Sequence, residues 1–489
     1  MASVIGIDSS TQSTKAELRD ADTGALIATG RAAHPPTQPP VSEQEPAAWW
    51  DALVDAVSQL GDHRSDVVAI SVAGQQHGMV LLDDAGQSIR PAKLWNDTTS
   101  APNATRLVEE LGEDWWTDWA GVVPVAAFTI SKLAWVAEHE PDVLDRVDKV
   151  MLPHDYLTLR LSGEHVTDRG DASGTGWFDA TSNTTLEQPL RLAARGGSGW
   201  LDRVPRVLGP TEAAGQILPD VANELGLPNN VIVGPGTGDN MGAALGLGLD
   251  TGDAVMSLGT SGTVYARTTQ RSADRSGAVA GFCDATGQFL PLVCTLNATK
   301  VTDTVASWLG VDAPGLAALA VEAGSAPISA TLVPYFDGER TPNRPDAKGM
   351  MVGLTNSTTR EELARAAHDG VVCGLLDGLS ALEATGAAVD GRLVLTGGGA
   401  KSAAYRQRLA DISGKPIHVP ANDESVAVGA AVQAAVIHDG TVDFDARAQA
   451  WGVSAASVTE PTSGVDGQAL RDQYAAASSF DDGLCRTSL

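Results

Sequence analysis

V-I-G-I-D-S-S-T-Q-S-T-K-A-E-L-R-D, from Val4 to Asp20, reads as an apolar strand ending in a carboxylate, a turn of hydroxyl and amide residues, and a second strand running back. A third run, Ala25 to Gly30, follows the turn signal Asp22-Thr23-Gly24, so the chain opens as a three-stranded β-meander. A Pro-rich connection, His34 to Pro40, leads to a helix whose first position is Pro46. Its Trp49, Leu53, Val57 and Leu60 recur on one face. V-V-A-I-S-V-A-G (Val67 to Gly74) is the continuous apolar run that a buried parallel strand needs. An antiparallel meander followed by helix-linked parallel strands describes a mixed α/β sheet.

The pattern begins again near residue 245. D-A-V-M-S-L-G-T-S-G-T-V-Y-A-R-T (Asp253 to Thr268) is a strand, a Gly/Thr/Ser turn and a returning strand, a faint echo of Val4 to Asp20. R-L-V-L-T-G-G-G-A-K-S (Arg392 to Ser402) is a buried strand ending in a Gly-rich turn. Ser402 can N-cap a helix from Ala403 to Ile412, and Pro416 to Pro420 supplies another strand. The expectation is two similar α/β domains in tandem, residues 1–245 and 246–445, with a cleft between them and a loosely packed tail over 446–489.

The 489 residues, 43% hydrophobic and 19% charged with 52 Gly and 25 Pro, have the profile of a soluble globular enzyme. A net charge of −28 repels phosphate backbones and anionic lipid heads, so nucleic acid and membrane are not expected partners. Met1 to Gly6 carries no signal-peptide pattern, and a cytoplasmic location is expected. Cys283, Cys294, Cys373 and Cys485 show no metal or redox spacing and read as reduced thiols. The chain also lacks H-E-x-x-H and G-x-S-x-G, which excludes a zinc protease and a serine hydrolase of those types.

Six segments carry chemistry. In the turn Asp8 to Lys15, Asp8 offers a metal-directed anion, and Thr11, Ser13 and Lys15 stand among donors for a phosphate; an ordinary polar hairpin is the alternative. The turn Gly259 to Thr263 offers Thr260 and Ser261 in the same way, without a carboxylate. Gly397 to Gly399 follow a buried strand but Ala400 breaks the Walker pattern, so Gly398 and Gly399 suit an adenosine rather than a pyrophosphate. V-G-P-G-T-G-D-N (Val233 to Asn240) delivers Asp239 and Asn240 to the start of a helix expected over Asn240 to Leu247. Asp239 is there a general base, kept ionised by the helix N-terminus, or simply an N-cap. Lastly, Gln76 and His77 of A-G-Q-Q-H-G, with Trp95, Asn96 and Asp97 of L-W-N-D, form a sugar-binding kit of planar hydrogen-bonding groups and an aromatic face. A lone His is as readily structural.

Together with S-K-L-A-W (Ser131 to Trp135), L-P-H-D-Y-L (Leu152 to Leu157), P-Y-F-D-G-E-R-T-P (Pro334 to Pro342) and K-G-M-M-V-G-L (Lys348 to Leu354), these motifs make residues 3 to 440 resemble the FGGY carbohydrate kinases. The resemblance implies two ribonuclease-H-like domains of the actin and hexokinase type, and γ-phosphoryl transfer from ATP with Mg²⁺ to a sugar hydroxyl. It implies Asp239 as the base, Asp8 acting through the metal, Thr260, Gly398 and Gly399 at the nucleotide, and Gln76 and His77 at the sugar. The implied acceptor is D-xylulose, phosphorylated to its 5-phosphate, with another ketose or polyol (ribulose, fuculose, gluconate) as alternative. A non-catalytic sugar or nucleotide sensor is a rival from another class, and a homodimer is the expected assembly if one forms. Two departures stand out. Ser10 occupies the glycine of the family's D-x-G-T turn, which must then do without a positive φ or strain to take it, and Gln76 stands where D-xylulose-specific members often carry Met.

Overall fold

In the computed structural model, which describes residues 2–441 and 443–480, β1 (Ser3–Ser9), β2 (Ser13–Asp20) and β3 (Leu26–Ala33) form the expected antiparallel meander. The run Val67–Gly74 is the expected parallel strand beside β1, and Ile232–Val233 and Thr237–Gly238 join its far side, also parallel. Alternation sorts the side chains of β1 to two faces. Ile5 and Ile7 pack with Trp49, Leu53 and Val57 of α1 (Pro46–Ser58), whereas Val4 packs with Ala69 and with Ala431, Ala434 and Ala435 of the helix Ser425–Asp439. The sheet is thus covered by a helix on each face.

α1 starts where the sequence puts it, because Pro46 at its first position needs no N–H partner and has its φ preset. The helix Ser425–Asp439 is apolar on every side, with Ala427 to Ile437 buried. Small residues set its distance from its neighbours. A Cβ on Gly6 would lie 2.0 Å from the Ala427 carbonyl oxygen, and one on Gly429 would lie 1.9 Å from that of Gly242 in the helix Asp239–Gly246.

The second sheet repeats the plan. Ala254–Leu258 pairs antiparallel with Gly262–Ala266, which pairs antiparallel with the strand Phe289–Thr295; on its other side Ala254–Leu258 runs parallel to Leu393–Thr396, and that strand to Ile417–Pro420. The helix Arg360–Ala384, closed by a capping box between Thr359 and Glu362, lays Leu375 and Gly378 on Gly262 and Val264.

By contacts the chain forms two units. The first runs to Leu249 and adds Thr269–Leu290 and Glu424–Ser454; the second comprises Asp250–Thr268, Pro291–Asp423 and the chain from Ala455 on. The stretch expected to be a loose tail differs from that expectation. Ala456–Thr459 pairs with Ile417–Pro420, and the helix Gly467–Ser478 buries Tyr474 and Ala477. An Ala-rich helix docks through so few large apolar side chains that its periodicity is faint in sequence. Cys283, Cys294 and Cys373 are free thiols, and Cys485 lies outside the described residues. Among the described residues no single helix is long and apolar enough to cross a membrane.

Candidate active site

The register of β1 places Asp8 opposite Lys15 on one side and Ala73 on the other, on the face that carries Val4 and Gly6. That face lies under the N-terminal end of the helix Ser425–Asp439, preceded by Glu424. Lys15 Nζ accordingly sits 3.5 Å from Asp8 Oδ2 and donates to the Glu424 carboxylate. Burial draws the Lys15 ammonium down, but Glu424 and Asp8 outweigh it and leave the group above its ordinary value. Burial pushes the Asp8 carboxyl up to about 6 against the pull of Lys15. Asp8 Oδ1 is buried with no hydrogen-bond partner among the described residues.

The turn after β1 takes the first of the two courses open to it. Ser10 has no positive φ. Its N–H and its hydroxyl both donate to the Ser13 carbonyl at 3.0 Å, which closes the turn without a glycine. Ser13 itself is buried at the start of β2 and shapes the turn through that carbonyl. Thr11 donates to Gln75 Oε1 at 3.0 Å and accepts from Trp95 Nε1 at 2.9 Å. A residue grouped with phosphate in the sequence thus touches one grouped with sugar, and Trp95 keeps an exposed face, 45% accessible.

Asp239 arrives from the neighbouring strand. Thr237–Gly238 pairs with Ala73 and Gly74, Gly238 caps the helix, and the helix begins at Asp239, one residue before its expected start. A Cβ on Gly238 would lie 2.7 Å from Gln76 Cγ, so a larger residue there would push the Gln76 side chain from its place. Asn240 Nδ2 then donates to Gln76 Oε1 at 2.7 Å and to Asp239 Oδ1 at 2.9 Å, while its N–H donates to the same Asp239 oxygen at 2.7 Å. Contrary to the expectation from sequence, the helix N-terminus does not keep Asp239 fully ionised. Burial first, and the Asp8 charge second, push its carboxyl up to about 7 against those N–H donors. Asp239 is therefore divided between its two protonation states near neutral pH.

Gln76 Nε2 and Asn96 Oδ1 are buried without partners among the described residues, an amide donor and a carbonyl acceptor with capacity to spare. His77 is packed more tightly than a free sugar ligand, its ring 4.9 Å from that of Phe128 and 5.4 Å from that of Phe282. Asp97 differs from its expected role beside a sugar. It is fully buried, and its oxygens accept from the N–H groups of Ser42 and Thr99 at 3.0 Å, from the Thr99 hydroxyl, and pair with Lys93 at 3.2 Å. It holds the loop that carries Trp95 and Asn96.

In the second unit Thr260 and Ser261 are exposed at the hairpin turn, where Gly259 N–H donates to the Ser261 carbonyl. The three glycines after Leu393–Thr396 serve different ends. Gly397 has φ +83, Gly399 is pressed on Leu258, and only Gly398 faces open space.

Models of the FGGY family of carbohydrate kinases match both halves of the chain, the N-terminal domain over residues 3–246 and the C-terminal domain over 254–438. The chain belongs to the FGGY carbohydrate kinases. It is 47% identical over 462 residues to a xylulose kinase of Streptomyces coelicolor, spanning 94% of this chain and 92% of that one. It is likewise 47% identical over 460 residues to one of Streptomyces rubiginosus, spanning 94% and 92%. The crystal structure of a xylulose kinase from Bifidobacterium adolescentis superposes with a TM-score of 0.87 at 40% identity, covering 98% of this chain and 99% of that one. As an FGGY kinase the chain is an ATP-dependent sugar phosphotransferase.

Among the described residues of this kinase no group of three or more His, Cys, Asp or Glu side chains could hold a metal alone. Asp8 and Asp239 fit the lighter demand of Mg²⁺, which keeps waters and shares its shell with substrate phosphates, so that one or two carboxylates suffice. The sequence motifs do not mark Glu424 or Gln75. A carboxylate heading a helix that is apolar from Val426 to Ile437 but for Gln433 is the signal that points to Glu424, and the doubled amide Gln75-Gln76 the one that points to Gln75.

Proposed function

We propose that this kinase phosphorylates D-xylulose to D-xylulose 5-phosphate with Mg-ATP in the cytoplasm, using Asp239 as general base. The observation that carries the reading is the pair of buried carboxylates, Asp8 and Asp239, the charge of the first helping to raise the second, beside the Gln76 and Asn240 amides. Supporting the choice of sugar are the xylulose kinases of Streptomyces, at 47% identity over nearly the whole chain.

In this reading Asp239 takes the proton of the attacking sugar hydroxyl, and its carboxyl, pushed up to about 7, is matched to that task at neutral pH. Gln76 Nε2 and Asn96 Oδ1 spend their unused capacity on sugar hydroxyls, and the exposed Trp95 face receives the C–H side of the sugar. His77 adds a polar ring edge. Asp8, with Asp239 beside it, would hold Mg²⁺, which when bound neutralises charge on the phosphates. In the first unit Lys15 and the turn Ser10 to Ser13, with Thr11, are assigned to the transferred phosphate; in the second, Thr260 and Ser261 are assigned to the phosphate chain, and Gly398, which faces open space, to adenosine with Gly399 beside it.

Coupled ADP release over D-xylulose, D-ribulose, L-ribulose, L-fuculose, gluconate and glycerol tests the substrate. The expected result is a kcat/KM for D-xylulose at least about tenfold above the next sugar, the scale that a few pocket contacts provide. A higher value for another sugar overturns the assignment to xylulose and leaves the family intact.

A further inference from the structure

The motif Ser131 to Trp135 belongs to the helix Thr129–His139, whose Lys132 side chain is completely buried. A buried ammonium is a costly occupant of a core, and replacement by an apolar residue of like size is often neutral or stabilising, so its contacts bear on what it does. Lys132 Nζ donates to two backbone carbonyls, that of His77 at 3.0 Å and that of Ala127. The Thr129 hydroxyl donates to the same His77 carbonyl at 3.2 Å. His77 is one of only three non-glycine residues with positive φ among the described residues, at 63°. That conformation is unfavourable for a residue with a Cβ and persists only where its surroundings enforce it.

We infer that Lys132 is a positioning residue for the sugar site: with Thr129 it grips the His77 carbonyl and holds the left-handed turn that presents Gln76 and His77. The inference rests on the sugar-kinase reading above and adds to it a device for specificity. Strand Val67–Gly74 ends just before Gln75, whose N–H still reaches the Ser9 carbonyl at 2.9 Å, and pairing resumes where Met79 bridges Lys93, so Gln76 to Gly78 span the gap between two paired stretches. The neighbouring rings of Phe128 and Phe282 restrain the His77 side chain but do not orient its peptide. Two donors converging on one carbonyl do. Burial draws the Lys132 ammonium down to about 7, with the Asp97 charge opposing, and either protonation state keeps an N–H for that carbonyl.

The test is a double-mutant cycle on the full chain with K132M, H77A and the double variant, reading the sugar KM, the ATP KM and Tm. K132M removes the donors and keeps the bulk. It is expected to raise the sugar KM roughly tenfold while the ATP KM stays within about twofold, as a lost buried hydrogen-bond partner on one substrate's side would. Added to H77A, it should raise the sugar KM by clearly less than it does alone, because the turn it holds then has only Gln76 left to present. T129V, which deletes the neutral donor alone, should raise the sugar KM about threefold, and it decides the matter should K132M not fold. Equal rises in both KM values, or effects of K132M and H77A that multiply, would show Lys132 to be a core group only and overturn the inference; so would a T129V enzyme with an unaltered sugar KM. If D-xylulose is not the preferred sugar, the same ratios are read on the sugar that is, and only the substrate assignment falls.

Discussion

Asp239 is asked to be buried, to stand near another carboxylate and still to lose its proton. Its carboxyl rises to about 7 from an ordinary 3.8, so the folded chain prefers the protonated form. The stability this group contributes is fully present below about 3.8 and is lost as the pH rises through about 7. D239N keeps the neutral form at every pH. It should lose about 10² to 10⁴ in turnover, the contribution of a positioned base. It should also unfold at a higher temperature than wild type at pH 8, by a margin that shrinks toward pH 5. Thermal unfolding at both pH values checks this, and a margin independent of pH would remove Asp239 as its source. Asp8 is the other half of the pair, and its charge helps to raise the Asp239 carboxyl. D8N should weaken the response to Mg²⁺ in a titration of activity. It should also shift the acid limb of the residual kcat/KM for sugar to lower pH, since Asp239 no longer faces its repulsion. A limb that stays in place would mean that burial alone sets the Asp239 carboxyl.

At the scale of elements, the site depends on how closely three of them pack. Glu424 reaches Lys15 only because the helix Ser425–Asp439 lies almost directly on β1, at Gly6, and on the helix Asp239–Gly246, at Gly429. G429A places a methyl where the Gly242 carbonyl already is. The expected cost is about 1 to 3 kcal/mol in denaturant unfolding, the range of overpacked cores, together with weaker sugar phosphorylation as both helix starts shift. Unchanged stability would show the crossing to be looser than its geometry. The elements themselves were legible before the fold was known. Pro46 announced α1, and the uninterrupted run Val67–Gly74 announced a strand buried on both faces. The helix Gly467–Ser478 was not, since its burial rests on Tyr474 and Ala477 in a stretch of Ala, Gln and Asp.

For the whole molecule, the first unit is not a continuous segment. Its sheet is covered on one face by residues more than three hundred positions downstream, for Val4 and Ala69 pack with Ala431, Ala434 and Ala435. A fragment ending at Leu249 would leave that face bare. Such a fragment should bind a hydrophobic dye, lack near-ultraviolet dichroism and unfold without a cooperative transition. A fragment that melts cooperatively would show the helix Ser425–Asp439 to be dispensable.

What the sequence determined by itself were the features carried by short spans: the meander, the two hairpin turns, the Gly-rich turn after Leu393–Thr396, the carboxylates Asp8 and Asp239, and with the assembled motifs the family. These follow from local periodicity and from residue chemistry at strand ends, which need no partner to be recognised. Only the tertiary structure decided that Asp97 serves its own loop, that Thr11 and Trp95 meet, that Glu424 completes the ion pair at Asp8, and that Asp239 is raised rather than lowered. Each of those depends on which distant groups exclude water from a side chain or bring a charge beside it. Burial and proximity between residues tens or hundreds of positions apart are properties of the packed chain, and no local pattern encodes them.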